Sequence, residues 1–176
     1  MAGRKHKKTK SHKNKVANWY SKPQNLLLLG GVIFLTFIAF SPVFQAQFVN
    51  WDDMLNVYEN ENVINFDIAG IFSDHVIGNY NPLSILSLAI DYSIVGESPG
   101  WYHTHNLLLH VFNIILVFSL MYRLGFGTAG SIVIAALFAL HPMRVESVAW
   151  ITERKDVLFT FFYLGGLHTY ISASKN

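Results

Sequence analysis

Residues Leu26–Phe44 read "LLLLGGVIFLTFIAFSPVF", nineteen residues without a charge. At 1.5 Å rise per residue they make a helix of about 28 Å, close to the thickness of a bilayer's hydrocarbon core. The stretch predicts a membrane-spanning helix, and the whole chain is composed to match. Of its 176 residues, 52% are apolar, 15% aromatic and only 14% charged, and the mean hydropathy is positive at +0.31, which places it with membrane proteins. A cleavable signal peptide would have a shorter apolar core and small residues at its exit. Phe44, Gln45 and Gln47 stand there instead, so the run reads as an uncleaved anchor.

Charge is segregated on either side of that run. From Met1 to Lys22 there are eight basic residues (Arg4, Lys5, Lys7, Lys8, Lys10, Lys13, Lys15 and Lys22) and no acid. From Gln45 to Gly100 there are eight acids (Asp52, Asp53, Glu59, Glu61, Asp67, Asp74, Asp91 and Glu97) and no Lys or Arg. A basic segment directly before a span obeys the positive-inside bias and touches anionic lipid. Residues 1–24 are therefore expected to be a cytoplasmic tail that binds no nucleic acid, with Gln45 onward on the outer side. The chain has no cysteine, which excludes disulfides, thiolate nucleophiles and Cys-ligated zinc.

Three more apolar runs predict spans: His105–Leu124, Thr128–Leu140 and Val157–Ile171. Pro82–Val95, "PLSILSLAIDYSIV", is too short to span and carries Asp91 inside it. It is expected to lie in the interface or re-enter, with Asn81 as N-cap and Pro82 in the first turn. Gly125–Gly127 then make a tight inner turn. The expectation is an all-α polytopic protein of about four transmembrane helices, with juxtamembrane helices in a large first outer loop, 45–103, and a second outer loop, 141–156. No tandem repeat of the usual solenoid periods is present.

Three constellations on the outer side carry polar chemistry. Asp52 and Asp53 are adjacent carboxylates beside Trp51. Two acids so close suit a general base or a metal ligand, and equally a solvated acidic loop. In "WYHTHNLLLH", His103, Asn106 and His110 share one helical face while His105 points elsewhere. That stripe reads as a hydrogen-bonding face toward neighbouring helices or as part of a metal site. In "HPMRVESVAWITERKD", Glu146, Trp150 and Glu153 share a face if the segment is helical, with Asp156 about a turn on. Arg144, Arg154 and Lys155 have the forks and ammonium to hold a phosphate, and interfacial anchoring is the other reading.

The blocks "FVNWDDMLNVYENENV", "NYNPLSILSLAIDYSIVGESPGWYHTHNLLLHVFNIILVFSL" and "ALFALHPMRVESVAWITERKDVLF", in this order, resemble the N-terminal part of the transmembrane and tetratricopeptide-repeat-containing proteins. Those in turn are similar to protein O-mannosyltransferases and other GT-C glycosyltransferases. The likeness covers roughly residues 47–167. It implies a membrane enzyme that moves a sugar from a polyprenyl-phosphate carrier to a protein or glycan hydroxyl, with inversion, on the extracytoplasmic face. Asp52, with Asp53 beside it, would be the catalytic base. Arg144, Arg154 and Lys155 would bind the donor phosphate. His103 and His110 would position, and Glu146, Glu153 and Asp156 would support. No cofactor is implied with certainty, and a divalent metal is left open. Further spans and a C-terminal repeat domain are also implied, neither of which occurs by Asn176, so the chain reads as a fragment of such an enzyme. A non-catalytic membrane scaffold or assembly protein is the alternative. A transporter ranks below both, because no span carries a charge at its centre.

Overall fold

The computed structural model describes residues 18–174. The basic tail lies outside the described residues up to residue 17. Among the described residues all extended regular structure is helical: α1 Pro23–Ala39, α2 Glu61–Ile64, α3 Ile68–Ser73, α4 Pro82–Val95, α5 Pro99–Arg123, α6 Gly127–Leu140, α7 Arg144–Ala149 and α8 Arg154–Ala173. A π-helical turn at Met54–Tyr58 follows the acid pair.

Helix boundaries follow local chemistry. Pro23, Pro82 and Pro99 open α1, α4 and α5, where a missing N–H costs nothing and the fixed φ suits the first turn. Asn60 caps α2 by accepting from Asn62 and Val63, and Asp67 caps α3 by accepting from Ala69. Asn81 occupies the N-cap position of α4, but its side chain makes no capping bond. The expected span Leu26–Phe44 is not one continuous helix. It stops at Ala39, and Pro42 sits inside a 3-10 turn over Ser41–Gln45, since its ring is incompatible with a helix interior. The turn from α5 to α6 forms as the sequence predicts. Gly125 and Gly127 take φ values of +97° and +66°, which side chains other than glycine rarely adopt.

One helix, α5, is long and apolar enough to cross a membrane, at 25 residues and about 38 Å. The helices α1, α4 and α6 are shorter apolar helices. The core is built around α5, which packs on α1, α6, α7 and α8. Its Ile114 and Phe118 meet Leu29 and Val32 of α1 and Ala135 and Ala139 of α6. Its Val117 and Leu120 meet Leu164 of α8. A separate cluster joins Val57, Val63 and Ile71 to Ile85 and Leu88 of α4 and to Ile151. Large apolar side chains also point outward: Leu27 is 77% exposed, Phe34 65% and Phe159 70%. Such patches mark surfaces that meet lipid or protein rather than water.

The helices alternate in direction, so their ends collect in two groups. At one end Asn25 of α1 accepts from Thr128 of α6 at 2.7 Å, and Lys22 lies over the ring of Tyr122 near the end of α5. Arg123 closes the same end by donating to the His168 carbonyl and to Ser172 of α8. At the other end Phe40 and Val43 pack with Leu107, Val148 and Val157. The acid pair, α7 and the start of α8 all lie there.

Ala135 and Ala139 are fully buried against α5, which leaves no room for a larger side chain. Ala135→Leu is expected to destabilise the fold by about 1–3 kcal/mol, read as a lower thermal midpoint in detergent. Val133→Leu, at a position 58% exposed, is expected to leave the midpoint unchanged.

Candidate active site

The end that holds the acid pair is organised by a buried charge pair. Asp91, the single acid in the apolar run of α4, is 2% exposed, and Arg154 at the start of α8 is fully buried. They are in direct contact. Asp91 also faces His105 Nδ1, at 2.8 and 2.9 Å from its two oxygens, and accepts from Trp101 Nε1 at 3.1 Å. A ring nitrogen facing a carboxylate carries the proton, so Nδ1–H donates. Burial by itself would raise the Asp91 pKa, but the His105 hydrogen bond and the charge of Arg154 outweigh it and hold the carboxyl below its ordinary value.

Arg154 is engaged through all three of its nitrogens. Nε donates to Asn106 Oδ1 at 2.7 Å, Nη2 to the Tyr102 carbonyl at 2.9 Å, and Nη1 to Asp91 and the Ser87 carbonyl. The expected use of Arg154 as a phosphate ligand therefore meets an obstacle. Its guanidinium already has partners and does not reach the surface.

Asn106 sits where α5, α8 and the 141–156 segment meet. Its Oδ1 takes the Arg154 bond, while Nδ2 donates to the carbonyls of Trp150 at 2.9 Å and Ile151 at 3.3 Å. The stripe seen in the sequence continues in both directions. His110 Nε2 donates to the Ala139 carbonyl at 3.1 Å, and Asn113 Nδ2 to that of Val157 at 2.9 Å. His103 is 2% exposed, and neither ring nitrogen has a partner among the described residues. Of the two readings of this stripe, these contacts are those of a docking face for neighbouring backbone. No group of three or more His, Asp or Glu side chains that could hold a metal forms among the described residues.

Fixing residues 150–154 places the acid pair. Asp53 is fully buried. Its Oδ2 accepts from the Val49 N–H at 2.9 Å and its Oδ1 from the Thr152 N–H at 3.3 Å, across 99 residues of chain. Burial pushes its pKa up, opposed by those hydrogen bonds and by the nearby His103. Asp52 is only half-buried. Its carbonyl accepts from Asn56, and its carboxylate accepts no hydrogen bond among the described residues. Trp51, 75% exposed, lies 6.0 Å from Trp150. Two neighbouring acids thus have different surroundings: one is clamped and dry, the other open.

The remaining candidates spread over residues 141–156. It is not one helix: Trp150 is extended, so Glu146, Trp150 and Glu153 do not form a common face. Glu146 and Asp156 are exposed, and Asp156 accepts from Ser147 at 3.1 Å. Arg144 lies over Phe138 at 4.9 Å. Lys155 pairs with Glu153 at 2.8 Å. Sequence reasoning left Asp91 and His105 out of the site. The signal for Asp91 was there, because an acid inside an apolar run requires a partner.

Removing one member of a buried pair strands the other charge. Asp91→Asn is expected to destabilise by about 3–5 kcal/mol, and Asp91→Leu with Arg154→Met by clearly less than either single change. Since Asp91 titrates lower in the folded state, its contribution is complete above the ordinary carboxylate pKa of about 3.9 and is lost as pH falls through the lower folded value. Melts of wild type and Asp91→Asn should therefore differ by the same amount at pH 7 and pH 5 and converge only below about pH 4.

No protein-family model matches the chain, and no solved structure matches it. Curated proteins do. Protein O-mannosyl-transferase Tmtc1 of Drosophila melanogaster is 30% identical over 152 residues, 80% of this chain and 18% of that protein. Protein O-mannosyl-transferase TMTC1 of Mus musculus is 33% identical over 87 residues, 49% of this chain and 9% of that one. Protein O-mannosyl-transferase TMTC4 of Homo sapiens is 33% identical over 111 residues, 55% and 15% of the two. The chain spans less than a fifth of the length of these relatives. It is a homologue of the TMTC family of protein O-mannosyl-transferases, and the resemblance carried by its three sequence blocks is borne out.

Proposed function

We propose that this chain forms the first part of a multi-pass glycosyltransferase of GT-C type that moves mannose from a polyprenyl-phosphate carrier to a hydroxyl of a protein acceptor, with inversion, on the extracytoplasmic face. In this reading α1, α5, α6 and α8 span the membrane and α4 lies at its outer interface. Residues 1–24 are cytoplasmic, and residues 45–103 and 141–156 are the outer segments. Support comes from the apolar side chains on the outside of α1 and α8, from the gathering of Lys22 and Arg123 at one end and the acid pair at the other, and from the names of the relatives.

The observation that carries the reading is the division of labour within the acid pair. Asp53 is held by two backbone N–H groups from separate parts of the chain, Val49 and Thr152, which sets the backbone on which Asp52 presents an unengaged carboxylate. As the acceptor oxygen bonds to the anomeric carbon, its proton passes to Asp52. The bond from that carbon to the phosphate oxygen breaks, and the carrier phosphate leaves with the electron pair. This is general-base catalysis of an inverting displacement. Charge on the leaving phosphate calls for cations, and Lys155 and Arg144 are assigned to it ahead of the buried Arg154. His110 holds α6 in place through the Ala139 carbonyl, His103 takes a positioning role beside Asp53, and Glu153 orients Lys155.

In a transfer assay with polyprenyl-phosphate mannose and an acceptor peptide, Asp52→Asn in the full-length protein is expected to lower the rate by about 10²–10⁴-fold with normal membrane insertion. Asp53→Asn keeps one acceptor oxygen and is expected to lose less activity while melting earlier. Undiminished transfer by both variants would overturn the base assignment and favour the scaffold reading.

A further inference from the structure

A groove of about 330 Å³ lies between the helical stretch that begins at the acid pair and the turn that follows α3. Leu55, Glu59, Asn60 and Glu61 line one side, and Asp74 and Ile77 the other. Asp52 belongs to the same stretch, since residues 52–58 are helical without a break. Leu55 stands about one turn beyond Asp52 and Glu59 about two turns, roughly 10 Å along the axis. The groove therefore begins beside the open carboxylate and leads away from it.

Its walls are apolar and its far rim is anionic. Leu55 is 51% exposed and Ile77 45%, the latter carried on a two-residue turn that Val76 and Asn79 close with reciprocal backbone bonds of 3.0 and 2.9 Å. Glu59, Glu61 and Asp74 are exposed. Among the described residues only Asp74 is engaged, accepting from Asn62 at 2.9 Å and from Ser73 at 3.2 Å, and no Lys or Arg occurs from Gln45 to Gly100 to neutralise the glutamates. Asn60 adds a donor. It is 8% exposed, and its Oδ1 accepts from the N–H groups of Asn62 and Val63, while its Nδ2 has no partner among the described residues. Those two bonds fix which way the amide points, leaving both N–H donors for the groove that Asn60 lines. A bare cation is coordinated by oxygen and would meet a donor there. A polypeptide offers that donor a carbonyl and, where it is basic, offers the glutamates a cation.

From this we infer that the groove docks an extended segment of the protein acceptor that carries a Lys or Arg, with a backbone carbonyl on Asn60, apolar side chains against Leu55 and Ile77, and the cation at Glu59 and Glu61. An extended chain advances about 3.3 Å per residue, so a separation of about 10 Å places the basic residue about three positions from the hydroxyl residue at Asp52. The inference rests on the glycosyltransferase reading for the hydroxyl at Asp52, and on the groove alone for the docking.

Binding is measured by fluorescence anisotropy on the chain in nanodiscs of neutral lipid. The probes are a labelled peptide holding one Thr and an Arg at that spacing, and the same peptide with Gln or Glu in place of the Arg. The Arg peptide is expected to bind tightest and the Glu peptide weakest, with the difference shrinking at high salt. Glu59→Gln with Glu61→Gln is expected to weaken the Arg peptide about three- to tenfold without changing the Gln peptide, and Glu59→Lys with Glu61→Lys to turn the preference toward the Glu peptide. Asn60→Asp keeps the cap on α2 but removes the donor, so the Gln peptide is expected to bind more weakly. Glu97→Gln, at an exposed acid outside the groove, is expected to alter nothing; melts confirm that all variants fold. Binding that ignores the charge of the peptide, or a preference unmoved by the change to Lys, overturns the groove assignment. Charge-dependent binding in a full-length protein that transfers no mannose upholds the groove and sinks the enzymatic reading. Transfer that needs Asp52 but takes Arg and Glu acceptors with equal KM does the reverse.

Discussion

A guanidinium with no access to water is the constraint around which the end of this protein that carries the acid pair is arranged. Arg154 is fully buried, and a buried charge is tolerated only with an opposite charge and a full set of hydrogen bonds. Asp91 supplies the charge from α4; Asn106 and the Tyr102 carbonyl of α5 supply the bonds. One side chain therefore ties three helices together. Such a pair is not in itself a source of net stability, because desolvation consumes much of the attraction. What the observed packing provides is a partner for each of these buried groups from α4, α5 and α8.

From that point order passes to the acids through the backbone. Asn106 holds the carbonyls of Trp150 and Ile151 while accepting from Arg154, so the peptide units just before α8 are fixed. The next N–H, that of Thr152, reaches Asp53. Each link is an ordinary hydrogen bond, and together they connect the Asp91–Arg154 pair to the buried Asp53 and its half-buried neighbour Asp52. The consequence for Asp52 is indirect. It inherits its position from a neighbour whose own carboxylate is occupied.

The helical class was legible because long uncharged runs leave few alternatives; the run from His105 to Leu124 lies almost wholly within α5, and the one from Thr128 to Leu140 within α6. The glycines of the intervening turn were equally readable, since their role is local. Boundaries were less so where a proline competed with hydropathy: Pro42 cut the first run short although every residue there is apolar or small. The stripe His103, Asn106 and His110 was visible as a helical face, but its partners are main-chain carbonyls, which have no sequence signature. The different fates of Asp52 and Asp53 were not legible at all. Adjacent identical residues are separated only by what packs on each, and that comes from 99 residues downstream. The burial of Arg154 was illegible for the same reason: a basic residue in a polar segment reads as available until the acid that pairs with it is seen.

The long separation between the partners has a bearing on how the protein is made. Chains emerge from the ribosome N-terminus first, and early parts settle before late ones exist. Asp53 and Asp91 are synthesised well ahead of Thr152 and Arg154, from which they are 99 and 63 residues removed. Until then Asp53 lacks the Thr152 N–H and Asp91 lacks the guanidinium. Translation of the short stretch from Trp150 to Arg154 then closes both contacts together. The end that carries the acid pair is thus finished by the arrival of a late segment, and a nascent chain that stalls before it leaves Asp53 with Val49 alone and Asp91 with Trp101 and His105 alone.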